Sequence, residues 1–592
     1  MYTAHVSWSN QDVNFHELSD EGMDKARADA LAEILRDDSD RKLVVAGPGT
    51  GKTYTFQQLL TQSEGPNLAL TFLTSLASDL QENLGDQAEV FSFHGFAHRL
   101  LRVMSVNGIT QEMDYFPAFD EIGVQDLRIL GTETTKDEIQ EHLMNLRELS
   151  PVIEKLLQAG DYYDAVGYND SVYRVLQHLK TQPGDTPHYA QIVVDEYQDF
   201  SQMETELIEV LAEVSPTLVV GDDDQALYTF RHASAIYLRD LVKDDRYTNF
   251  ELPFCSRCTE VLVEATHQVV AEAQKIGLLG DRIPKPYVCY RPDKQVASDK
   301  YPHITHARCT VERNSSPYIE KYLEEQIRQI PDDDIKRSRE EGYPTVLIVG
   351  PKQFSKRAFD YLDERFGDVG YKMSTQHEVR IIDGYKRLMK DRDSRLGWRI
   401  LLHVAQPEGW EATVDGALNG GDELVGSIPD EFRNQHLAIA ELLTRIAAEE
   451  EMTPEEMTLS IEATGLSLGD LLAELGFETT PGSPAEVPDE EPPDYSHEPS
   501  VLVTSLMGAK GLQASHVFVL GMNNEHFPQN NQAPTEAEVC QFLVALTRAR
   551  ESCTLVSVGN FGGNWLEDSV FTTWLQPFLD ERKIDKKHFE SR

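Results

Sequence analysis

An apolar run, Leu43 to Val45, leads directly into Ala46-Gly47-Pro48-Gly49-Thr50-Gly51-Lys52-Thr53. No other stretch limits the possible fold so tightly. Glycines at this density let successive backbone N–H groups converge on an anion, and a helix beginning at Lys52 adds the positive end of its dipole. Strand, glycine-rich turn and helix in that order open a parallel α/β sheet. Lys52 is placed to reach outer phosphates and the Thr53 hydroxyl to hold Mg²⁺. Ala46, Gly47, Pro48, Gly49, Thr50, Gly51, Lys52 and Thr53 are therefore the candidate nucleotide-binding residues, with Ala46 standing where glycine is usual.

At 592 residues and 40% hydrophobic, the chain can bury several cores. No run approaches the roughly 18 apolar residues that a membrane span needs. Met1-Tyr2-Thr3-Ala4-His5 has neither the basic nor the apolar region of an export signal, so a cytoplasmic protein without a membrane partner is expected. Six cysteines are too few for a disulfide framework in so long a chain. Cys255 and Cys258 are spaced like half a zinc knuckle, but Cys289 and Cys309 do not supply the other half, so ordinary reduced thiols are expected. The net charge of −46 repels a polyanion overall, so any nucleic-acid groove has to be locally basic within an acidic shell. Solubility at high intracellular salt and an acidic face for a protein partner both account for that charge. The sequence does not choose between them.

Strand-like runs at Leu43–Val45, Asn67–Phe72, Glu89–Phe93, Gln191–Val194 and Thr217–Val220 alternate with helical stretches, which predicts a parallel sheet with helices on both faces. A second set, Thr345–Val349, Val501–Ser505, His516–Leu520 and Cys553–Val558, predicts a second α/β core. The expected division is a first core over 1–102 and 188–245, interrupted by a helical insertion over 103–187. The second core covers 246–405 and 498–592, interrupted over 406–497 by a reduced helical insertion that leaves through an acidic, proline-rich linker (Thr479–Pro484 and Pro488–Asp494).

Two further constellations carry chemistry. Ile192-Val193-Val194-Asp195-Glu196 sets adjacent carboxylates at a strand end, where α/β sheets present ligands. Asp195 can hold Mg²⁺ through water while Glu196 orients an attacking water. Val219-Val220-Gly221-Asp222-Asp223-Asp224-Gln225 then puts a polar Gln225 beside a strand end, placed to sense a terminal phosphate. Tyr228, Phe230 and Arg231 follow with rings and a guanidinium on which bases stack.

In order from Ala46 to Arg550, these segments resemble a UvrD/Rep-type superfamily 1 DNA helicase. The resemblance implies two RecA-like P-loop cores, each interrupted by a mainly helical insertion. It also implies ATP and Mg²⁺ as cofactors and single-stranded or partially duplex DNA as partner. Val90 to Arg99 resembles the segment that touches single-stranded DNA, giving Phe93 and His94 as contacts; Thr71 and Phe72 belong to a second such segment. Leu252 to Thr259 resembles the element whose arginine, here Arg257, reaches the γ-phosphate from the second core. Ala509-Lys510-Gly511-Leu512 resembles a further motif, with Lys510 toward DNA and Gln513 toward the ribose. Val544 to Arg550 resembles the last, with Arg548 as a second arginine at the phosphate. Lys52, Asp195, Glu196, Gln225, Arg257 and Arg548 are thus the expected catalytic set, and both arginines are expected from the second core, so that the site is complete only on closure.

The departures cluster around the base and the DNA. Met23 to Ala30 lacks the family's adenine-reading glutamine, Ser256 replaces a stacking tyrosine and Gln513 a glutamate. Leu73, Thr74 and Ser75 lack the family's Asn and Lys, and Met507 replaces a histidine. Relaxed nucleobase selectivity or weak ATP binding without DNA, and a shallow salt dependence of DNA binding, are therefore expected. With roughly 40 residues after Arg550, no fused nuclease domain is expected. The resemblance implies 3′-to-5′ translocation in repair or replication, with the protein nucleoid-associated. Two other readings remain: a helicase-like ATPase subunit of a multi-protein assembly, such as an anti-phage system with a nuclease partner, or a DNA-sensing NTPase switch that does not unwind.

Overall fold

The computed structural model describes residues 14–590 apart from 73, 107–111, 149, 229–232, 311–315, 373–377, 478–497, 530–532 and 562. Its frame is two parallel sheets. The first contains β1 (Arg41–Val45), β2 (Asn67–Thr71), β3 (Glu89–Ser92), β4 (Gln191–Val194), β5 (Thr217–Gly221) and β6 (Thr248–Glu251), in the spatial order β3-β2-β4-β5-β1-β6. Its inner strands are buried end to end, as a sheet with helices on both faces requires. Alternate residues serve opposite layers: Leu43 and Val45 join the large cluster that also holds Phe93 and Phe200, while Val44 and Ala46 join Phe56, Leu59 and Leu218.

This order positions the site. β4, β5 and β1 are consecutive neighbours and all parallel, with Val194 opposite Val219 and Gly221 opposite Val45. The loops leaving their C-terminal ends, Ala46 to Thr53, Asp195 to Asp199 and Asp222 to Gln225, therefore emerge side by side.

The second sheet contains β7 (Ile304–Cys309), β8 (Val346–Val349), β9 (Val369–Lys372), β10 (Val501–Thr504), β11 (Ala514–Leu520), β12 (Ala549–Val558) and β13 (Leu579–Ile584), in the order β9-β10-β8-β11-β12-β7-β13, again all parallel. Fold class is as expected: mixed α/β with two large parallel sheets. Strands β6, β7, β9 and β13 were not foreseen. Three of them lie at sheet edges and carry exposed or half-exposed residues, so they lack the continuous apolar run that marked the inner strands. β6 pairs with β1 and so extends the first sheet past residue 245, where the sequence reading began the second core.

Helical structure fills the stretch after β3, with Phe119–Ile129, Lys136–Met144, Pro151–Tyr163 and Tyr168–Thr181. A second helical group begins at Ile381–Lys390 and Arg395–Ala405, ahead of residue 406, and continues through Asp430–Ala447. The two groups meet. Arg399, fully buried, pairs with buried Asp126 at 2.6 Å, and Gln125 Oε1 accepts from the Arg399 Nη2 at 2.7 Å. No helix among the described residues is long and apolar enough to cross a membrane. The proline-rich linker lies outside the described residues.

Candidate nucleotide site and its surroundings

Gly49 (φ +72°) and Gly51 (φ +95°) hold left-handed backbone, which only glycine adopts without strain, and Gly51 caps the helix Lys52–Gln62. The Thr50 hydroxyl donates to the Gly47 carbonyl at 2.9 Å and braces the turn. Around Gly51 nothing lies within 4 Å of where a Cβ would sit, so the loop is open on its Gly51–Lys52 side. Its other side is covered. A Cβ on Gly47 would lie 2.6 Å from the Tyr287 ring, and one on Gly49 would lie 2.4 Å from the Arg257 Cβ. The cavity between this covered side, Gln225 and Thr547 holds only about 20 Å³, too small for a nucleotide. The open face beside Lys52 and Thr53 is the remaining place for phosphates.

The carboxylates meet the lysine there. Lys52 Nζ lies 3.4 Å from Glu196 Oε1. Glu196 itself has φ +56°, a conformation costing a non-glycine residue about 1–3 kcal/mol and typical of functional sites. Gln198 fixes it: its Nε2 donates to Glu196 Oε2 at 2.6 Å, and its Oε1 accepts the Asp222 N–H at 2.9 Å. One side chain thus ties two of the three loops together. Burial would raise the Glu196 carboxyl, but Lys52 and Lys510, the Gln198 hydrogen bond and Arg548 outweigh it and hold Glu196 well below the usual carboxylate range. Asp195 goes the other way. Burial raises it to about 6, Lys52 opposes that rise, and the Glu196 charge reinforces it.

The second sheet contributes two cations. Lys510, buried, pairs with Asp199, lies 3.5 Å from Glu196 Oε2 and donates to the Gln225 carbonyl at 2.9 Å. Burial raises Asp199 to about 6 even with Lys510 against it. Arg548, also buried, donates from Nη2 to Gln225 Oε1 at 2.9 Å, while Gln225 Nε2 donates to Asp222 Oδ2 at 2.6 Å. Burial and the neighbouring Arg257 charge bring Arg548 down to about 10, although Glu196 favours the charged form. Gln225 therefore stands between the first sheet's acidic loop and the second sheet's arginine.

Arg257 occupies a different position from the one expected. It lies in the segment just after β6, seated on the phosphate loop: the Ser256 N–H donates to the Gly49 carbonyl at 2.9 Å. Its Nη1 donates to the Thr547 carbonyl at 3.4 Å, and its buried Nε has no partner among the described residues. Arg257 thus sits where the chain passes from the first sheet to the second, rather than on the second core. The helix that follows, Glu260–Lys275, carries the chain onto Glu536–Leu546 of the second unit.

The residues present fit the groups the loop implies. Asp195 and Thr53 offer hard oxygen donors of the kind Mg²⁺ takes, and a carboxyl raised by burial gains most from a cation. The unpartnered Arg257 Nε beside the loop fits an anion. The Asp222, Asp223 and Asp224 cluster is a different matter. It is the only grouping of three metal-capable acids, cysteines or histidines among the described residues, and Lys285 fills it with ion pairs of 2.9, 2.8 and 2.7 Å. Burial works against the Lys285 charge, and the three aspartates more than restore it.

The DNA-contact expectations need correction. Thr71, Phe72, Phe93, His94 and Tyr228 are all buried. Phe93 packs on Phe200 with centroids 5.1 Å apart, Phe72 on Tyr228 at 4.8 Å, and His94 stacks on Tyr168 at 3.6 Å. These rings close a core layer instead of offering open faces to bases. Lys510 is likewise committed to carboxylates and not displayed toward DNA. Gln513 Oε1 accepts from Arg550 at 3.2 Å, so its contact is within the second unit. Phe230 and Arg231 lie outside the described residues. What the sequence reading missed is Tyr287, whose hydroxyl lies 3.1 Å from the Pro48 carbonyl, and Lys285; Lys285 stands between two prolines and Tyr287 directly precedes a two-residue strand, where there is no periodic signal. It also missed a cavity of about 450 Å³ at the C-terminal ends of β8 and β10, lined by Lys352, Met507, His526, Phe527 and Gln541 among others.

Comparison with known proteins agrees with this geometry. Residues 126–245 match the UvrD/REP helicase N-terminal domain family. Over 92% of its length the chain is 23% identical to DNA helicase II of Haemophilus influenzae, covering 85% of that protein. It is 23% identical to the ATP-dependent DNA helicase PcrA of Staphylococcus aureus over 86% of its length, covering 80% of the relative. It is 21% identical to DNA helicase II of Salmonella typhimurium over 87%, covering 82%. Motif order, paired parallel sheets, the family match and these relatives all agree in their similarity to UvrD/Rep-type helicases.

Proposed function

We propose that the chain couples Mg-ATP hydrolysis to 3′-to-5′ movement on single-stranded DNA, unwinds duplex ahead of it, and works on the nucleoid in the cytoplasm in repair or replication. The observation that carries this reading is the meeting of two sheets' charges around one carboxylate: Lys52 from the first and Lys510 from the second both bear on Glu196, with Arg548 on the adjoining Gln225.

In this reading Lys52, Arg257 and Arg548 neutralise the charge that grows on the transferred phosphoryl group, and Glu196, held ionised by its cations, orients and deprotonates the attacking water. Asp195 and Thr53 would hold Mg²⁺, which would supply Lewis-acid neutralisation of phosphate charge. Gln225 reports the state of the phosphate, because it is hydrogen-bonded to Asp222 on one side and Arg548 on the other. Losing the γ-phosphate removes what Arg548 shares with Lys52, so the sheets part and DNA lying across both is shifted. The aromatic layer behind the site transmits that motion. The cavity lined by Lys352, His526 and Phe527 is the proposed track for DNA on the second unit.

Steady-state hydrolysis with and without single-stranded DNA, followed by a strand-displacement assay on tailed duplexes of both polarities, tests the reading. Stimulation by DNA together with displacement only from a 3′ tail supports it. Hydrolysis without displacement would favour the switch reading, and activity only with a co-purified protein the assembly reading.

A further inference from the structure

The segment that seats Arg257 on the phosphate loop reads Cys255-Ser256-Arg257-Cys258, with both cysteines fully buried. The two sulfurs face one another. Each lies within reach of the same Tyr287 hydroxyl, at 3.2 Å for Cys255 and 3.9 Å for Cys258, and the Cys258 N–H donates to Cys255 Sγ at 3.3 Å. Cys289, paired with Cys255 across the short parallel ladder, is turned elsewhere: its thiol donates to the Cys258 carbonyl at 3.6 Å. Among the described residues no cysteine joins a three-ligand cluster, so the arrangement is a thiol pair and not a metal site.

We propose that Cys255 and Cys258 form a reversible disulfide that unseats Arg257 and suppresses nucleotide turnover. The pair is built for it. Burial opposes a thiolate at Cys255, but the Cys258 and Tyr287 side chains within hydrogen-bond reach of its sulfur and the backbone N–H groups of Cys258 and Arg257 outweigh it and lower the thiol below its usual range. Cys258 keeps its proton: hydrogen bonding to Cys255, burial and the Cys255 charge all push it up. One attacking and one resolving sulfur are thereby assigned.

With a peroxide as oxidant the step balances. Cys255 Sγ attacks one peroxide oxygen; an S–O bond forms, the O–O bond breaks, and the leaving hydroxide takes up a proton as water. Cys258 Sγ then attacks Cys255 sulfur; the S–S bond forms, the S–O bond breaks, and a second water leaves. The two sulfurs lose two electrons to the peroxide, and the two thiol protons end in the two waters. Because both sulfurs lie behind Gly49 and Thr547, the oxidant reaches them when the sheets part.

The consequence for Arg257 follows from shared contacts. The Thr547 carbonyl accepts from both the Cys258 thiol, at 3.6 Å, and Arg257 Nη1, at 3.4 Å. Oxidation removes the thiol proton and draws Cys258 toward Cys255, which loosens the seat of Arg257 on the residue next to Arg548. That second half of the proposal rests on the function proposed above.

The test treats the intact chain with hydrogen peroxide, maps peptides without reduction, and measures DNA-stimulated ATP hydrolysis before and after dithiothreitol. A Cys255–Cys258 link is expected, with hydrolysis reduced about tenfold, on the scale of an arginine made ineffective, and restored by the reductant. Cys258→Ser should lose both the link and the sensitivity, whereas Cys289→Ser should keep both. A link from Cys255 to Cys289, no link at all, a link without loss of turnover, or an undiminished loss in Cys258→Ser would overturn the proposal. The mapping needs no turnover, so it decides the pair by itself. Absence of hydrolysis in the fully reduced chain would count against the proposed function alone.

Discussion

The phosphate-facing loops and the aromatic layer behind them use similar strand ends of one sheet for opposite purposes. At the ends of β1, β4 and β5 the side chains are charged, and each finds a partner of opposite sign from another loop or from the second sheet. At the ends of β2 and β3, one and two strands further along, the side chains are Phe72 and Phe93, and they pack on Phe200 and Tyr228. Charges at a strand end are expensive to bury alone, so they must converge on a shared site. Rings at a strand end carry no such obligation. They are equally content in a core or against a base, and here the core takes them.

Four measurements break or sharpen that contrast. The largest effect is expected at the centre of the charged site: Lys52→Ala and Glu196→Gln should each lower DNA-stimulated hydrolysis by about a thousandfold or more, with folding intact by circular dichroism. Turnover unchanged in both would place the chemistry elsewhere. Arg548→Ala should reduce kcat by roughly a hundredfold while altering KM for ATP much less, since the arginine is held by Gln225 for the transition state. A pure KM effect would make it a binding residue.

The aromatic side of the contrast is tested by stability. Phe93→Ala should cost about 3–5 kcal/mol in a denaturant titration, as truncation of a fully buried Phe does, before any loss of DNA affinity is considered. A variant of unchanged stability that binds DNA more weakly would restore Phe93 to the DNA face. The smallest effect concerns pH. Asp195 has to be ionised to hold a cation, and burial raises the free group to about 6, so kcat/KM should fall as pH drops below that value and level off above it. Asp195→Asn should abolish that limb together with most activity. The sign for stability is opposite. A carboxyl raised in the folded state keeps a proton that the unfolded chain has already released, so the Asp195 and Asp199 contributions weaken the fold as pH climbs from about 4 through about 6.

Much of the site was legible because its signals are local. Gly49 and Gly51 announce left-handed backbone, and Lys52 and Asp195 follow strands whose continuous Val and Leu runs mark buried positions. The strands that went unseen, such as β13 with its Leu-Asp-Glu-Arg-Lys-Ile, are edge strands facing solvent, where the apolar code is absent. Lys510 is expected toward DNA only from the resemblance of its motif, and the packing of the second sheet reveals Asp199 and Glu196 beneath it.

The sequence alone determined the phosphate loop, the carboxylate pair, the two parallel sheets and the order of motifs. Each is written in backbone freedom or hydrophobic period over a few neighbouring residues. Tertiary structure decided which charges share one carboxylate, that Arg257 rests on the phosphate loop at the crossing between sheets, and that the rings of Phe72, Phe93 and Tyr228 belong to the core. Those outcomes depend on contacts between segments hundreds of positions apart, where burial and electrostatic pairing, not local conformation, set the energy.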